Sequence, residues 1–557
     1  MLRYFFLILF SPIRLLYYFY LRLRAFLRRK RTVLHFEFPS YFETSHKSFF
    51  VRKFQGKQSS MTRLDFLLVL RSLGKIKQLK TLKIFLPPMD WSLSEFWEVK
   101  EELIKLKEQG IRIESYAQEG GLGTLLLMSA SNERSADKEA EFHIQLPSAE
   151  SSFYGGLLKH LGVEVEAYAS GPYKSFAETF TRTGFSKEAK KNIEDLILDL
   201  QNIILDALTE KGKFKKETFY KPILTAESLK EAGFLDSIRS EKEFFPEEEK
   251  ALSPNHSYLI QRIEDFKFVS KRKKNIAILP LEGGISSGEY SGKEREAGKI
   301  EAYPTISLLK ELKEDKNVHV VVLEINSPGG SAFHSELIHR EISELKKEKP
   351  VFVYFKDTAA SGGYYIASAA ETITSSPVCI TGSIGAVMVR ANLKKLYNKA
   401  KVQKETVGFY PFREILSEYT PLKKESVGFL QKEIARIESQ FYARVSEGRK
   451  IPLDQLKTKW GGGRVYLPKT ENKIVDSLGG ILDVLQTIKN NFPKDKFMIS
   501  YELPEYNFRS EIPFLKGFGL KQMMKTFLPK EILFLKEMSE RPLYYSNIKI
   551  NWNNRKN

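Results

Sequence analysis

The clearest hydrophobic pattern lies in the second half of the chain. Val318 to Ile325 and Val351 to Phe355 are near-continuous apolar runs, rich in β-branched and aromatic residues. Such runs predict strands buried on both faces, because a half-exposed strand would alternate apolar and polar positions. Between them, residues 332–348 carry apolar positions at helical spacing among Glu, Lys and Arg, which predicts an amphipathic helix. Strand, helix and strand in this order predict parallel βαβ units with right-handed crossovers. The second run continues through Thr358-Ala-Ala-Ser361-Gly-Gly363 into Tyr364 to Ala370. An apolar strand therefore turns through small residues into a helix, with one hydroxyl at the turn.

A similar pattern occurs earlier in the chain. Val33 to Phe38 resembles Ile276 to Leu281, Thr81 to Leu86 resembles Val320 to Ile325, and Glu101 to Ala117 resembles Arg340 to Lys356. The offsets are about 243, 239 and 239 residues, nearly constant over eighty positions, which points to a tandem duplication. The implied organisation is a segment 1–32, a first repeat 33–232, a charged linker 233–273, a second repeat 274–490 and an extension 491–557 with no assignable chemistry. The copies differ at their turns. Leu86-Pro-Pro-Met-Asp90 and Glu119-Gly-Gly-Leu-Gly123 stand where the second copy has Pro328-Gly-Gly330 and Ala359-Ala-Ser-Gly-Gly363. The first copy has no serine equivalent to Ser361 and reads as degenerate.

Length and composition narrow the classes. At 557 residues, with 42% hydrophobic and 28% charged residues, the chain is globular and long enough for several cores. Its net charge of +19 comes largely from Lys and Arg interleaved with Glu on helical faces, and no nucleic-acid module is recognisable. A single cysteine, Cys379, excludes an intramolecular disulfide and a multi-cysteine metal site. Neither metal nor cofactor is expected.

The segment 1–32 is apolar and aromatic over residues 4–21, interrupted by Pro12 and Arg14, and Arg-rich from residue 22. An arginine at the centre of a spanning helix costs about 2.5–3.5 kcal/mol, which Phe and Leu at roughly −0.3 to −0.6 each offset only narrowly. Arg3, Arg14, Arg22, Arg28 and Arg29 share one broad helical arc, which suits a basic helix in the interface. Charge following the apolar run, with no small-residue cleavage site, argues against a cleaved signal peptide. Either as a span or as an interfacial helix, this segment is expected to attach the protein to a membrane.

Two glycine-bearing turns carry the candidate chemistry. Asn326-Ser-Pro-Gly329-Gly330-Ser331 ends one buried run, and its glycines could offer free backbone N–H groups to a developing oxyanion. Ser361 and Gly362 end the next, where the helix start and small neighbours suit a nucleophile. NSPGGS, then AASGGYY, then Thr381-Gly-Ser-Ile-Gly385 at this spacing resembles the signal peptide peptidase A family of serine proteases. Trp460-Gly-Gly-Gly-Arg-Val-Tyr466 and Ile474-Val-Asp-Ser-Leu-Gly479 resemble the end of that family's protease domain, although Leu467-Pro-Lys-Thr-Glu-Asn472 departs from its usual Thr-Gly-x-x-Ala step. The resemblance implies an α/β fold of tandem Clp-protease or crotonase-like repeats, with the nucleophile at Ser361. It also implies a homo-oligomer, commonly a tetramer in the duplicated form, acting on signal peptide remnants at the cytoplasmic membrane with its body extracytoplasmic.

A serine hydroxyl needs a base. His334 and His339 follow the Pro-Gly-Gly turn, but five residues apart they fall on different helical faces. The Clp proteolytic subunit carries its histidine on a later strand, whereas residues 372–385 contain none here. The resemblance instead points to Lys174, in Ala167-Tyr-Ala-Ser-Gly-Pro-Tyr-Lys174-Ser-Phe-Ala-Glu-Thr-Phe180, which aligns with the general base of the long, duplicated form. Burial would have to lower its pKa for it to act. The echo Pro411-Phe412-Arg413 in the second repeat cannot supply a second base, since arginine keeps its proton. Two rivals stay open: acyl-CoA chemistry on a crotonase-like fold, which would want acidic residues at the site, and a catalytically degenerate scaffold that binds membrane peptides.

Overall fold

The computed structural model describes residues 31–42, 61–210, 212–249, 251–252, 274–288, 298–503 and the backbone of 543–545. The segment expected to meet the membrane falls almost wholly outside the described residues, as does most of the 491–557 extension. Among the described residues, no helix is long and apolar enough to cross a membrane.

The described residues divide into two compact units, one of those within 31–148 and 200–252, the other of those within 149–199 and 274–545. In the first, strands β1 (Val33–Glu37), β2 (Thr81–Leu86), β3 (Arg112–Gly121) and β4 (Glu133–His143) lie side by side in chain order, all parallel. Helix α1 (Arg63–Leu73) joins β1 to β2, α2 (Leu93–Glu108) joins β2 to β3, and α3 (Leu122–Ser129) follows β3 directly. Ser92 and Glu95 form a capping box that starts α2 by satisfying N–H groups the helix cannot. The stretch expected to open a linker at 233 instead packs into this unit. Phe234, Leu235 and Phe244 are buried, and Ser237–Ile238 adds a strand beside β4. Apolar residues within a charged stretch were enough to bring it into the core.

In the second unit, β6 (Lys274–Glu282), β7 (Val318–Ser327) and β9 (Val351–Ala360) form the parallel centre of a sheet, extended by β10 (Thr372–Ser375) and β11 (Ile380–Gly382) on β9. Five consecutive residues of β9, Val351 to Phe355, are buried, as their unbroken apolar run requires of a central strand. Each such side chain contributes about 1.5–3 kcal/mol on leaving water. Helices α4 (Ala302–Glu314) and α5 (Ala332–Glu348) supply the crossovers, and the short α6 (Gly362–Ala367) follows β9. Ile276 pairs with Val320 as Val33 pairs with Thr81 in the first unit, so the strands matched by sequence occupy matched places.

The compact units do not follow the boundary of the sequence repeat. Strand β5 (Glu164–Ala169) pairs antiparallel along its length with β12 (Val387–Asn392), from Glu164 opposite Asn392 to Ala169 opposite Val387. Residues 149–199 thereby belong with the second repeat, and Lys174 lies five residues beyond the end of β5.

Candidate active site

Ser361 sits between β9 and α6 with φ 54° and ψ −118°, a conformation that non-glycine residues avoid. Two backbone hydrogen bonds hold it there: Ser361 N–H donates to Gly382 O at 2.8 Å, and Tyr365 N–H donates to Ser361 O at 2.8 Å. The turn is tight enough to need the glycines after it. A Cβ on Gly363 would lie 2.7 Å from Ser327 O. One on Gly362 would lie 2.7 Å from Ser335 Oγ and 3.2 Å from both Gly329 Cα and Gly330 N. The two turns singled out in the sequence therefore meet beneath the serine.

Lys174 reaches this point from the turn after β5. Its Nζ is 2.8 Å from Ser361 Oγ, 2.8 Å from Ser383 O and 2.9 Å from Ser383 Oγ. The lysine is only 3% exposed. Burial holds its ammonium well below the usual lysine range, against a smaller opposing pull from Glu438. A neutral amine has two N–H donors and one lone pair. With the Ser383 carbonyl and hydroxyl taking the donors, the lone pair is left for the Ser361 hydroxyl.

Backbone closes over the Lys174 stem. A Cβ on Gly463 would lie 2.7 Å from Lys174 Cβ, so the Gly461-Gly462-Gly463 segment presses directly against the lysine. Tyr173 N–H donates to Gly462 O at 3.0 Å, and Gly463 N–H donates to Ile384 O at 2.9 Å. Phe176 and Phe180, two and six residues further on, are buried.

Each residue expected at the site is thus placed. Lys174 and Ser361, 187 positions apart, are in contact, and Gly329, Gly330 and Gly362 cluster beside the serine. Gly329 N–H is occupied locally, donating to Ser327 Oγ at 3.2 Å. The histidines are engaged elsewhere: His334 Nδ1 is 2.8 Å from Ser331 Oγ, and His339 packs edge-on against Tyr365 with burial pushing its imidazole down to about 4. Ser383 joins the site although sequence reasoning did not name it among the site residues. The Thr381-Gly-Ser-Ile-Gly385 motif was the available signal, and a second one is visible only in the backbone, since Ser383 also holds a positive φ of 54°.

A hydroxyl fixed on a strained strand-to-helix turn and paired with a buried amine has the make-up of a serine–amine acyl-transfer centre. The chain belongs to the family that such a centre suggests. The model of peptidase family S49 matches residues 343–492. The chain is 31% identical over 237 residues to a putative signal peptide peptidase SppA of Enterococcus faecium, covering 42% of this chain and 67% of that protein. It is 29% identical over 440 residues to the chloroplastic serine protease SPPA of Arabidopsis thaliana, covering 75% of this chain and 64% of that one. It is 30% identical over 405 residues to Protease 4 of Haemophilus influenzae, covering 67% and 63%. The chain thus spans somewhat less than two thirds of the length of the latter two. Among solved structures, a ClpP1 variant from Listeria monocytogenes is similar at 17% identity, covering 37% of this chain and 94% of that one, with a TM-score of 0.26.

Proposed function

We propose that this protein is a serine endopeptidase that uses Ser361 as nucleophile and Lys174 as general base. The observation that carries the reading is the 2.8 Å approach of a buried lysine Nζ to Ser361 Oγ. The neutral amine takes the Ser361 proton as Oγ bonds to the scissile carbonyl carbon, and the carbonyl π electrons move to its oxygen. Backbone N–H groups of Gly330 and Gly362 face the resulting oxyanion; Gly362, as the first residue of α6, has an N–H with no intrahelical partner. Collapse of the tetrahedral adduct breaks the C–N bond, and the lysine ammonium returns its proton to the leaving amine. Water then loses a proton to Lys174, attacks the acyl-serine ester and releases the acid, with Ser361 regaining its hydrogen.

The substrates in this reading are extended apolar peptides, such as signal peptide remnants, at a cytoplasmic membrane reached through residues 1–32, with the body extracytoplasmic. A homo-oligomer, possibly a tetramer, is part of the same proposal. Val407, Phe409, Tyr410 and Leu416 are 84%, 100%, 67% and 85% exposed, and a cluster of apolar side chains left in water supports an interface there. The duplicated architecture, with a degenerate first repeat, is likewise the origin we propose for the paired sheets.

The decisive experiment is turnover of a fluorogenic apolar peptide, together with labelling by a fluorophosphonate, in Ser361→Ala and Lys174→Arg. Both variants should be inactive and only the wild type should label at Ser361. Turnover by Ser361→Ala would point to a different nucleophile, whereas absence of turnover and labelling in the wild type would leave the scaffold reading.

A further inference from the structure

Lys174 is a base whose setting must be both rigid and correctly charged, and one carboxylate touches both requirements. Glu438 lies on α7 (Lys424–Arg449), the long helix that packs behind the site, and is half-buried. It accepts a hydrogen bond from Tyr442 OH at 3.1 Å, and that same hydroxyl accepts Gly462 N–H at 2.9 Å. Gly462 O in turn accepts Tyr173 N–H at 3.0 Å, the residue before the lysine. On its other side Glu438 bonds the Ser170 hydroxyl, which accepts Ala386 N–H at 2.8 Å. Ser170 stands four residues before Lys174 and Ala386 three after Ser383. The glycine segment has no slack with which to ignore this: a Cβ on Gly461 would lie 2.3 Å from Tyr442 OH, and one on Gly171 would lie 2.4 Å from Gly462 Cα.

We propose that Glu438 is a positioning residue for the Lys174 base: through Tyr442 and Ser170 it fastens the two backbone segments that enclose the amine, and it sets a negative charge facing it. The proposal rests on the Ser–Lys reading and adds to it a residue that is neither nucleophile, base nor oxyanion donor. The charge has a definite consequence. An anion near Lys174 favours the ammonium, so Glu438 opposes the desolvation that frees the base. The enzyme then runs with a base less depressed than burial alone would give, which keeps the amine basic enough to take the serine proton and hold it until the leaving amine receives it.

Burial holds the Glu438 carboxyl above the usual carboxylate range, and the Ser170 and Tyr442 hydroxyls, with Lys457 on α8 (Leu453–Trp460), oppose that shift and favour the ionised form; Lys457 Nζ lies 5.9 Å from the Tyr442 ring centroid. Arg464 stacks over Tyr173 at 4.4 Å and donates to its hydroxyl at 2.7 Å. The β11–β12 connection presents the Ser383 hydroxyl and carbonyl.

Glu438→Gln separates charge from contact, because the amide oxygen can still accept from Tyr442. The full-length protein should then keep most of its plateau kcat/KM while the acid limb of the pH–rate profile moves to lower pH. Glu438→Leu and Tyr442→Phe, which cut the tether, should lower the plateau about 5–30-fold, the equivalent of one to two kcal/mol. Burst labelling by a fluorophosphonate, followed against pH, reads the same base without depending on peptide binding. A wild-type limb in Glu438→Gln, or a wild-type plateau in Tyr442→Phe, overturns the proposal. If Glu438→Gln fails to fold, Tyr442→Phe still decides it. Lys174→Ala, measured alongside, keeps the two readings apart: an active Lys174→Ala sinks the Ser–Lys assignment itself, whereas an inactive one beside an unmoved limb sinks only the role of Glu438.

Discussion

Both units bury paired charge, as Arg390 with Glu166 and Arg449 with Asp476 in the second, but the second also buries an amine held by hydroxyls and a carbonyl. In the first, Arg63 and Glu98 are both shielded from water and bonded to each other, and Arg134 is bonded to Glu210 and to the Phe234 carbonyl. In the second, Lys174 is buried against two serine oxygens and a carbonyl. The strand-to-helix turns differ in the same sense. Gly121 precedes α3 in an ordinary extended conformation, φ −140° and ψ −160°, whereas Ser361 precedes α6 in a strained one. Paired charge and a relaxed turn cost a fold little, while an amine without a carboxylate partner and a strained serine are kept only where packing over-determines them. The difference separates a unit built for stability from one built around a site.

The comparison can be broken most directly at the base. Lys174→Arg should lower kcat/KM by about 10²–10⁴-fold, as expected for loss of general-base catalysis, while size-exclusion profiles stay unchanged. Retention of a tenth of wild-type turnover would mean that the cation alone suffices and that the second unit's buried amine is electrostatic.

In the first unit the matching experiment concerns stability. Arg63→Met removes the buried ion pair to Glu98, which should cost about 3–5 kcal/mol in denaturant unfolding, and Arg63→Met with Glu98→Leu should recover most of it. Activity per folded molecule should be untouched in both. An unchanged unfolding midpoint in the single variant would remove the contrast between the units.

A smaller effect is expected at Ser383. Ser383→Ala removes one of the contacts that orient Lys174 Nζ but keeps the carbonyl, and about a tenfold loss in kcat/KM follows from one hydrogen bond near the site. Wild-type turnover would show that the carbonyl orients the amine by itself.

The pH dependence sharpens the same point with a sign. The folded-state pKa of Lys174 lies below its unfolded value, so the unfolded chain binds more protons between those two pKa values. Stability therefore rises with pH across that window, and the burial penalty is fully felt below the folded pKa. Lys174→Met should accordingly raise the melting temperature at neutral pH, modestly, while abolishing turnover. A lower melting temperature would mark Lys174 as a structural residue. The least effect of all is expected from Gly121→Ser, which places a serine at the turn of the first unit without a lysine opposite it: turnover should match wild type within error.

Much of this protein is decided locally and can be read in one dimension. The unbroken apolar runs at Val318 to Ile325 and Val351 to Phe355 could only be central strands, because burial on both faces removes the need for alternation. The Ser361 turn and the Pro328-Gly-Gly330 turn were legible because small residues at the end of a strand have few other uses. Phe234 and Phe244 show where locality misleads: a charged stretch reads as linker, yet a few aromatic side chains gain more from the core than the charges lose.

The meeting of Lys174 with Ser361 is of a different kind. Nothing within fifteen residues of Lys174 distinguishes it physically from the chain's other lysines, and family resemblance alone singled it out. Its burial arises from β5 pairing with β12 across more than two hundred residues, and from glycines at 461–463 that let backbone close over it. Glu438 had no sequence signal at all, being one acidic residue on a charged helix. A pKa is set by what surrounds a group in space, so the sequence determined which strands and turns this chain forms, and only the tertiary structure decided which lysine becomes a base and which glutamate faces it.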